Sequence, residues 1–537
     1  MISSLVALVC VATISSSLAQ DVYVTVEQGT LRGAVVSSAL GTQYASFKGV
    51  PYARPPTGEL RFQAPQAADS WEGVRDALEE GSACVQEPGG PEAGSEDCLY
   101  LNVHVPLNSS APFAVYVLIP GGGFTGGSGA TRIYGPDLFI EEGVAVVAIN
   151  YRLGPLGYLS TQDEVIPGNA GMKDQVLALR WVNQNIAAFG GDPGRITAGG
   201  SSAGGCSVSH HLLSPSSAGL FQGLTIQSGD AISPWGIMAD AREKAFRLGE
   251  VLGLSTNDSR QLLDFLLAQD AADLVSHNDD VITDAEKVRM QHLAWLPAIE
   301  PDLEGAFLTD SPINILRSGG FNKVPIIEGY TSGDGVIFVD QKAYLSEPAS
   351  LQELNDNFEL AVAPLLHLPT AEERSAAALS MHDFYFGHEN ITVADGQALV
   401  NMSTDLYFAE PADSAMRFVV NQSDAGPVYY YLFDYRGSEL LNSTFGSWHA
   451  AETDVLFFAG NSQLPDPDSV YGRMRSNLVR LWSNFIKYGT PSPDGETIDW
   501  QPFTTSALKY MHITDDFQLS ENVNKERIDF WHENIPW

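Results

Sequence analysis

Five runs of almost unbroken apolar sequence constrain the fold of this chain more than any other feature. They lie at residues 114–119, 144–150, 196–198, 224–226 and 324–327. A strand with one face in water alternates apolar and polar residues, whereas runs without alternation belong to strands buried on both faces. Helical patterns lie between the runs. The clearest spans residues 175–189, with Val176, Leu179, Val182 and Ile186 on one stripe and Gly190-Gly191 as its stop. Alternation of this kind predicts an α/β fold, with a large, mostly parallel central sheet covered by helices on both faces.

The flanking segments extend that scheme. Residues 22–27 and 31–36 read as antiparallel strands around a Gln28-Gly29 turn. Residues 241–292 and 349–401 read as polar helical segments between sheet strands, and so as cap insertions over the sheet. Residues 428–435 (VYYYLFDY) form a further β-rich run, and 473–488 an amphipathic helix stopped by Gly489. No Pro/Gly/Ser linker is long enough to divide the chain, which predicts one domain over residues 20–537.

The N-terminus carries a different signal. The apolar run around Leu5 to Ala12 is too short to span a bilayer, and Ser17-Leu18-Ala19 fits a small-x-small cleavage site. Residues 1–19 are therefore expected to be a signal peptide of a secreted, extracellular protein, although no Lys or Arg precedes the run. Six Asn-x-Ser/Thr acceptors, at Asn108, Asn257, Asn390, Asn401, Asn421 and Asn442, suit secretion, but such triplets are also common by chance. Of the four cysteines, Cys10 leaves with the signal, and Cys84 and Cys98 are close enough to close a short disulfide loop. Cys206 is then the odd thiol, and its place on a helix favours a buried, inert side chain. The formal net charge of −37 is spread along the chain, which describes a solvated surface, argues against nucleic-acid partners and disfavours polyanionic substrates.

The chemistry starts at Gly200-Ser201-Ser202-Ala203-Gly204. A serine hydroxyl is a weak nucleophile unless a base takes its proton and donors await the oxyanion. A G-x-S-x-G elbow sets the serine on a strained strand-to-helix turn for which the glycines leave room. Residues 196–198 read as the strand and 203–213 as the helix, and only Ser202 has glycine at the right spacing on both sides. Gly121-Gly122-Gly123-Phe124 directly follows the 114–119 run, where consecutive glycines let backbone N–H groups reach a ligand oxygen.

With these residues in place, the chain resembles the type-B carboxylesterase and lipase family, which includes the cholinesterases, and within it the secreted invertebrate carboxylesterases. The resemblance extends over the whole mature chain. It is carried by Pro51-Tyr52-Ala53-Arg54-Pro55-Pro56, Glu96-Asp97-Cys98-Leu99-Tyr100-Leu101-Asn102, the Gly121–Phe124 run, Phe189-Gly190-Gly191-Asp192-Pro193, the elbow, Gln227-Ser228-Gly229 and Trp482-Ser483-Asn484-Phe485. It implies the α/β-hydrolase fold, hydrolysis of carboxylic esters, and a catalytic order of serine, acid and histidine. The family's G-x-x-x-x-E-G segment reads Gly329 to Gly335 here, making Asp334 the acid; Glu328 precedes the first glycine and does not match. The G-x-x-H-x-x-E segment reads Gly446 to Glu452, making His449 the base. The resemblance places the oxyanion on the N–H groups of Gly122, Gly123 and Ala203, and pairs Arg61 with Glu96 and Arg152 with Asp174. It calls for no cofactor, and the sequence shows no metal-ligand cluster.

Departures from the family narrow the expectation. Ser201 stands where Glu is frequent, and Pro120 precedes the glycine run. Cholinesterases hold a quaternary ammonium on a Trp between the first two cysteines, but residues 85–97 contain no Trp, Tyr or Phe. The expected substrate is therefore a small to medium neutral ester rather than a choline ester. Juvenile-hormone-esterase-like, pheromone-degrading and detoxifying roles, or a digestive lipase, are variants of that reading. A catalytically silent adhesion protein like the neuroligins is the competitor from another class, and the retained triad speaks against it.

Overall fold

The computed structural model describes residues 20–87, 94–107, 112–291, 293–387, 389–437, 442–460 and 463–537. The expected signal segment and Asn108 lie outside these residues.

The apolar runs become neighbouring strands of one 13-stranded sheet. Its members are β1 (Asp21–Val26), β2 (Gly29–Ser37), β3 (Gln43–Pro51), β4 (Val74–Asp76), β5 (Tyr100–Pro106), β6 (Phe113–Ile119), β7 (Ala145–Ile149), β8 (Gly191–Ser201), β9 (Gly223–Gln227), β10 (Ile326–Thr331) and β11 (Val428–Phe433), completed by β14 (Lys509–Ile513) and β15 (Phe517–Glu521). A two-stranded ribbon, β12 (Asn442–Ser443) with β13 (Gly446–Ser447), stands apart. The spatial order is β1-β2-β3-β5-β7-β6-β8-β9-β10-β11-β14-β15, with β4 beside β2. From β7 to β14 every neighbouring pair is parallel, whereas β1-β2-β3-β5-β7 at one edge and β14-β15 at the other pair antiparallel, and β4 lies parallel to β2. This is the mostly parallel sheet expected from the runs, in the α/β-hydrolase architecture that the family resemblance implies.

Strand β6 shows why its sequence does not alternate. Val115, Val117 and Ile119 enter one apolar core, and Ala114, Tyr116 and Leu118 enter the other. The first core is covered by the helices Ala170–Asn185 and Ala203–Leu213, the second by Val470–Tyr488 through Leu478, Leu481, Trp482 and Phe485. Each such aliphatic or aromatic side chain contributes roughly 1.5–3 kcal/mol by leaving water. The last helix starts where Ser469 Oγ accepts the Gly472 N–H at 2.9 Å and stops at Gly489, whose φ of +72° is the left-handed C-cap.

The structure moves some boundaries. The 196–198 run is the middle of a strand starting at Gly191, because Gly191 pairs with Phe113 across an irregularity in the β6 ladder. The 324–327 run enters the sheet only at Ile326; Pro325 contributes just its carbonyl, to the Leu224 N–H. Residues 241–292 and 349–401 hold helices between sheet strands, including Ala241–Val251, Ser259–Leu267, Pro348–Val362 and Ala371–Phe386. Among the described residues no helix is long and apolar enough to cross a membrane.

Cys84 and Cys98 form a disulfide, and Cys206 is a buried free thiol whose pKa burial pushes up. Both expected ion pairs are present and bidentate. Arg61 reaches Glu96 with two bonds of 2.7 Å, and Arg152 reaches Asp174 at 2.8 and 2.7 Å with both side chains buried. Asn257, Asn390 and Asn421 are exposed, whereas Asn401 is half-buried on the helix Gly396–Thr404.

Candidate active site

The C-terminal ends of β8, β9 and β10 and the loop after β13 bring the candidate residues to one place. Ser202 sits between β8 and the helix Ala203–Leu213 with φ 60° and ψ −129°. For a side chain with a Cβ this backbone is strained by on the order of 1–3 kcal/mol. The surroundings hold it there, since the Ser202 N–H donates to the Gln227 carbonyl at 2.9 Å and its own carbonyl accepts from Cys206 at 2.8 Å. The flanking glycines are required by space. A Cβ on Gly200 would lie 2.6 Å from the Ile119 carbonyl oxygen, and one on Gly204 would lie 2.2 Å from the same atom.

Asp334 follows β10 and is fully buried. Its two oxygens have separate tasks. Oδ2 accepts the Ser228 hydroxyl and the Thr331 N–H, both at 2.8 Å, and Oδ1 faces His449 Nδ1 at 2.7 Å. A proton on Nδ1 suits the carboxylate and leaves Nε2 as the basic nitrogen. His449 is carried by a loop tied to the acid's own turn: Gly333 N–H donates to the Ser447 carbonyl at 3.0 Å, and Ser447 N–H to Ser332 Oγ at 2.9 Å. Ala450, at φ 63°, turns the chain into the helix Ala451–Leu456, and the Phe408 ring packs 5.1 Å from the imidazole.

Ser202 and His449 line one cavity of about 510 Å³, together with Gly121, Gly122, Gly123 and Ser201. Gly122 and Gly123 have φ of +127° and +61°, and a Cβ on Gly122 would lie 2.2 Å from the Gly126 carbonyl oxygen. The Gly122 carbonyl is occupied, accepting the N–H groups of Thr125 and Gly126 at 3.1 and 2.9 Å. The N–H of Ala203 opens its helix and has no intrahelical acceptor. Tyr134, Trp235, Phe338 and Phe408 supply aromatic walls, and among the described residues no Asp, Glu, Lys or Arg lines the cavity.

The structure separates the acids and histidines that the sequence left in competition. Glu328 is buried within β10 with neither carboxyl oxygen hydrogen-bonded, and burial pushes its pKa well up; Asp334 is the acid that meets His449. His210 and His211 are buried in helix packing. His210 Nε2 pairs with the Gly236 carbonyl at 2.8 Å, and His211 pairs with Ser217 and Gln175 at 2.7 and 2.9 Å. Burial holds them down at about 4 and about 3, so both are neutral.

Three neighbours of the site have no role legible in the sequence. Ser228 orients Asp334, although the Gln227-Ser228-Gly229 motif containing it is visible there. Glu452, one turn after His449, accepts from Tyr431 at 2.8 Å, and burial followed by the charge of Asp334 pushes it up to about 7. Ser201 lines the cavity with its buried hydroxyl unpartnered.

The profile of the Carboxylesterase family matches residues 20–531. The chain belongs to the carboxylesterase family. Among its relatives, juvenile hormone esterase of Tribolium castaneum is 32% identical, with 98% of this chain and 96% of that protein aligned. Venom carboxylesterase-6 of Apis mellifera is also 32% identical, over 95% of this chain and 93% of the relative. The cholinesterase of Mus musculus is 29% identical, over 98% and 89% respectively. This chain is a carboxylesterase, and ester hydrolysis is the activity its site must explain.

Proposed function

We propose that this carboxylesterase is a secreted serine hydrolase that cleaves small to medium neutral carboxylic esters through an acyl-enzyme on Ser202. The observation that carries the proposal is the 2.7 Å bond from His449 Nδ1 to Asp334, made by an imidazole that shares a cavity wall with the strained Ser202.

In this reading His449 Nε2 takes the Ser202 proton as Oγ adds to the ester carbonyl. Asp334 keeps the imidazole in the productive tautomer and stabilises the imidazolium. The oxyanion is received by the N–H groups of Gly122, Gly123 and Ala203, each worth roughly 3–4 kcal/mol in such a site. The imidazolium returns its proton to the leaving alcohol, and the carbon–oxygen ester bond breaks. Water, deprotonated by His449, then releases the acid and restores Ser202. Neutral esters are favoured because the cavity's walls are aromatic and aliphatic with no charged carboxylate or cation among the described residues. Residues 1–19 are the proposed signal peptide and 20–537 the single hydrolase domain. The family match beginning at residue 20 and the Cys84–Cys98 disulfide support that division and an oxidising compartment. Asn257, Asn390 and Asn421 are the acceptors whose exposure suits a glycan.

Turnover of p-nitrophenyl acetate by wild type and Ser202→Ala tests the mechanism. The variant should lose essentially all turnover, and surviving activity would sink the assignment. A ladder of p-nitrophenyl esters from acetate to palmitate then sorts esterase from lipase: rates falling beyond medium chains fit the proposal, and a long-chain optimum rejects it. N-terminal sequencing of the secreted protein should begin at Gln20.

A further inference from the structure

The bond to Asp334 fixes His449 at one point only. A single hydrogen bond of 2.7 Å at Nδ1 sets the direction of one ring edge and leaves the imidazole able to tilt about it. A second constraint comes from Phe408, whose buried ring lies 5.1 Å from the imidazole at an interplanar angle of 43°. Aromatic pairs at this separation attract each other beyond the area they bury.

Phe408 is presented by an interruption of helix geometry. The α-helix Gly396–Thr404 passes into the π-helical turn Asp405–Ala409 and then into the α-helix Glu410–Val420. Such turns are rare and frequently sit at functional sites. This one is braced on several sides. Phe338 packs 4.4 Å from the Tyr407 ring and 5.7 Å from that of Phe408, and Trp235 lies 5.9 Å from Phe408. Ser233 Oγ and Trp235 Nε1 both donate to the Tyr407 carbonyl, at 3.0 and 3.2 Å. At the start of the turn, Asp405 Oδ2 accepts the Tyr385 hydroxyl at 2.6 Å and lies 2.9 Å from Arg527 Nε.

The same segment is fastened to the acid. Gly335, the residue after Asp334, donates its N–H to Thr404 Oγ1 at 2.9 Å, and its carbonyl accepts from Ser403 Oγ at 3.0 Å. Ser403 and Thr404 are fully buried, so water does not compete for these bonds. A Cβ on Gly335 would lie 2.3 Å from the Thr404 nitrogen, which shows how closely the two backbones approach. Phe338 itself belongs to the helix Val336–Gln341 that begins directly after Gly335. The carboxylate bonded to the imidazole edge and the ring packed on the imidazole therefore come from one interlocked unit. We propose that Phe408 is a positioning residue for His449, and that residues 403–408, locked to Gly335, are the frame that holds ring and acid in register. The inference rests on the reading of His449 as the base.

Two readouts on the full-length enzyme test the frame: steady-state hydrolysis of p-nitrophenyl acetate, and the low-field proton NMR signal of the Nδ1 proton between His449 and Asp334. Phe408→Leu keeps an apolar side chain and removes the ring, and kcat should fall about 10–100-fold while KM holds within about three-fold. Thr404→Val keeps the side-chain shape and removes the acceptor of the Gly335 N–H, and should also lower kcat at unchanged KM. Thr404→Ser retains the hydroxyl and should restore wild-type kcat. The low-field signal should broaden or vanish in Phe408→Leu and Thr404→Val and persist in Thr404→Ser. That signal is read without substrate, so turnover surviving in Ser202→Ala defeats the proposed mechanism and leaves this readout standing. Either lowered-kcat variant that keeps the wild-type circular dichroism spectrum decides the question. Wild-type kcat and an unchanged signal in a folded Phe408→Leu or Thr404→Val, a loss confined to KM, or equal losses in Thr404→Val and Thr404→Ser overturns the proposal.

Discussion

Asp334→Asn changes one atom at the centre of the site, and the hydrogen bonds around it dictate the outcome. Ser228 Oγ–H and Thr331 N–H both point at Oδ2, at 2.8 Å each. Two donors select the carbonyl oxygen of an asparagine for that position and force its NH₂ group to the position of Oδ1, 2.7 Å from His449 Nδ1. An NH₂ there donates, so Nδ1 must be the acceptor and the histidine proton must move to Nε2. Nε2, the base of the proposed mechanism, is then already protonated and cannot take the Ser202 proton. The expected loss in kcat is about 10⁴-fold, equivalent to about 5 kcal/mol of transition-state stabilisation. The assay is steady-state hydrolysis of p-nitrophenyl acetate at neutral pH, with KM and the thermal midpoint as controls. KM should hold within a few-fold, because the ester-binding walls are untouched. A kcat within ten-fold of wild type, in a variant with unchanged Tm, would refute both the acid assignment and the tautomer reasoning.

Other perturbations have equally direct outcomes. Gly204→Ala forces a Cβ to 2.2 Å from the Ile119 carbonyl oxygen and should cost roughly 1–3 kcal/mol by overpacking, seen as a lower Tm together with lost turnover. Arg152→Ala leaves Asp174 buried without its bidentate partner and should destabilise by roughly 3–5 kcal/mol in urea unfolding. Reducing the Cys84–Cys98 bridge, which spans a sequence separation of 14, should cost about 3 kcal/mol, measured as the midpoint shift with and without reductant. Glu452 has a folded pKa raised to about 7 by burial, so the folded state holds its proton more tightly than the unfolded chain. Its contribution to stability is therefore full below the unfolded carboxyl range and declines as pH rises towards 7. Urea unfolding at pH 5 and pH 8 should show a smaller pH-dependent loss for Glu452→Gln than for wild type.

The sequence by itself pointed to the sheet's central strands and the elbow through local chemistry, and to Asp334 and His449 as candidates through motifs of the family it resembles. Residues 114–119 cannot alternate, because consecutive side chains enter different cores; the glycine spacing of the elbow is legible locally, although the Ile119 carbonyl oxygen that excludes a Cβ at Gly200 and Gly204 belongs to the neighbouring strand. Tertiary structure decided what depends on residues far apart in the chain. The sequence motif chose Asp334 over Glu328, but only the crossing of β10 with the loop after β13 puts one carboxylate against His449, 115 residues away, and leaves the other inside the sheet. The role of Ser228 was illegible for the same reason, since it acts on an acid 106 residues downstream. A cavity of about 300 Å³ lined by Ile232, Glu410, Trp531 and Trp537 exists only where the helix starting at Glu410, the 231–237 segment and the C-terminal tryptophans converge. Periodicity and turn chemistry are properties of a few neighbouring residues, whereas a cavity and its polar group are set by the order in which strands stack.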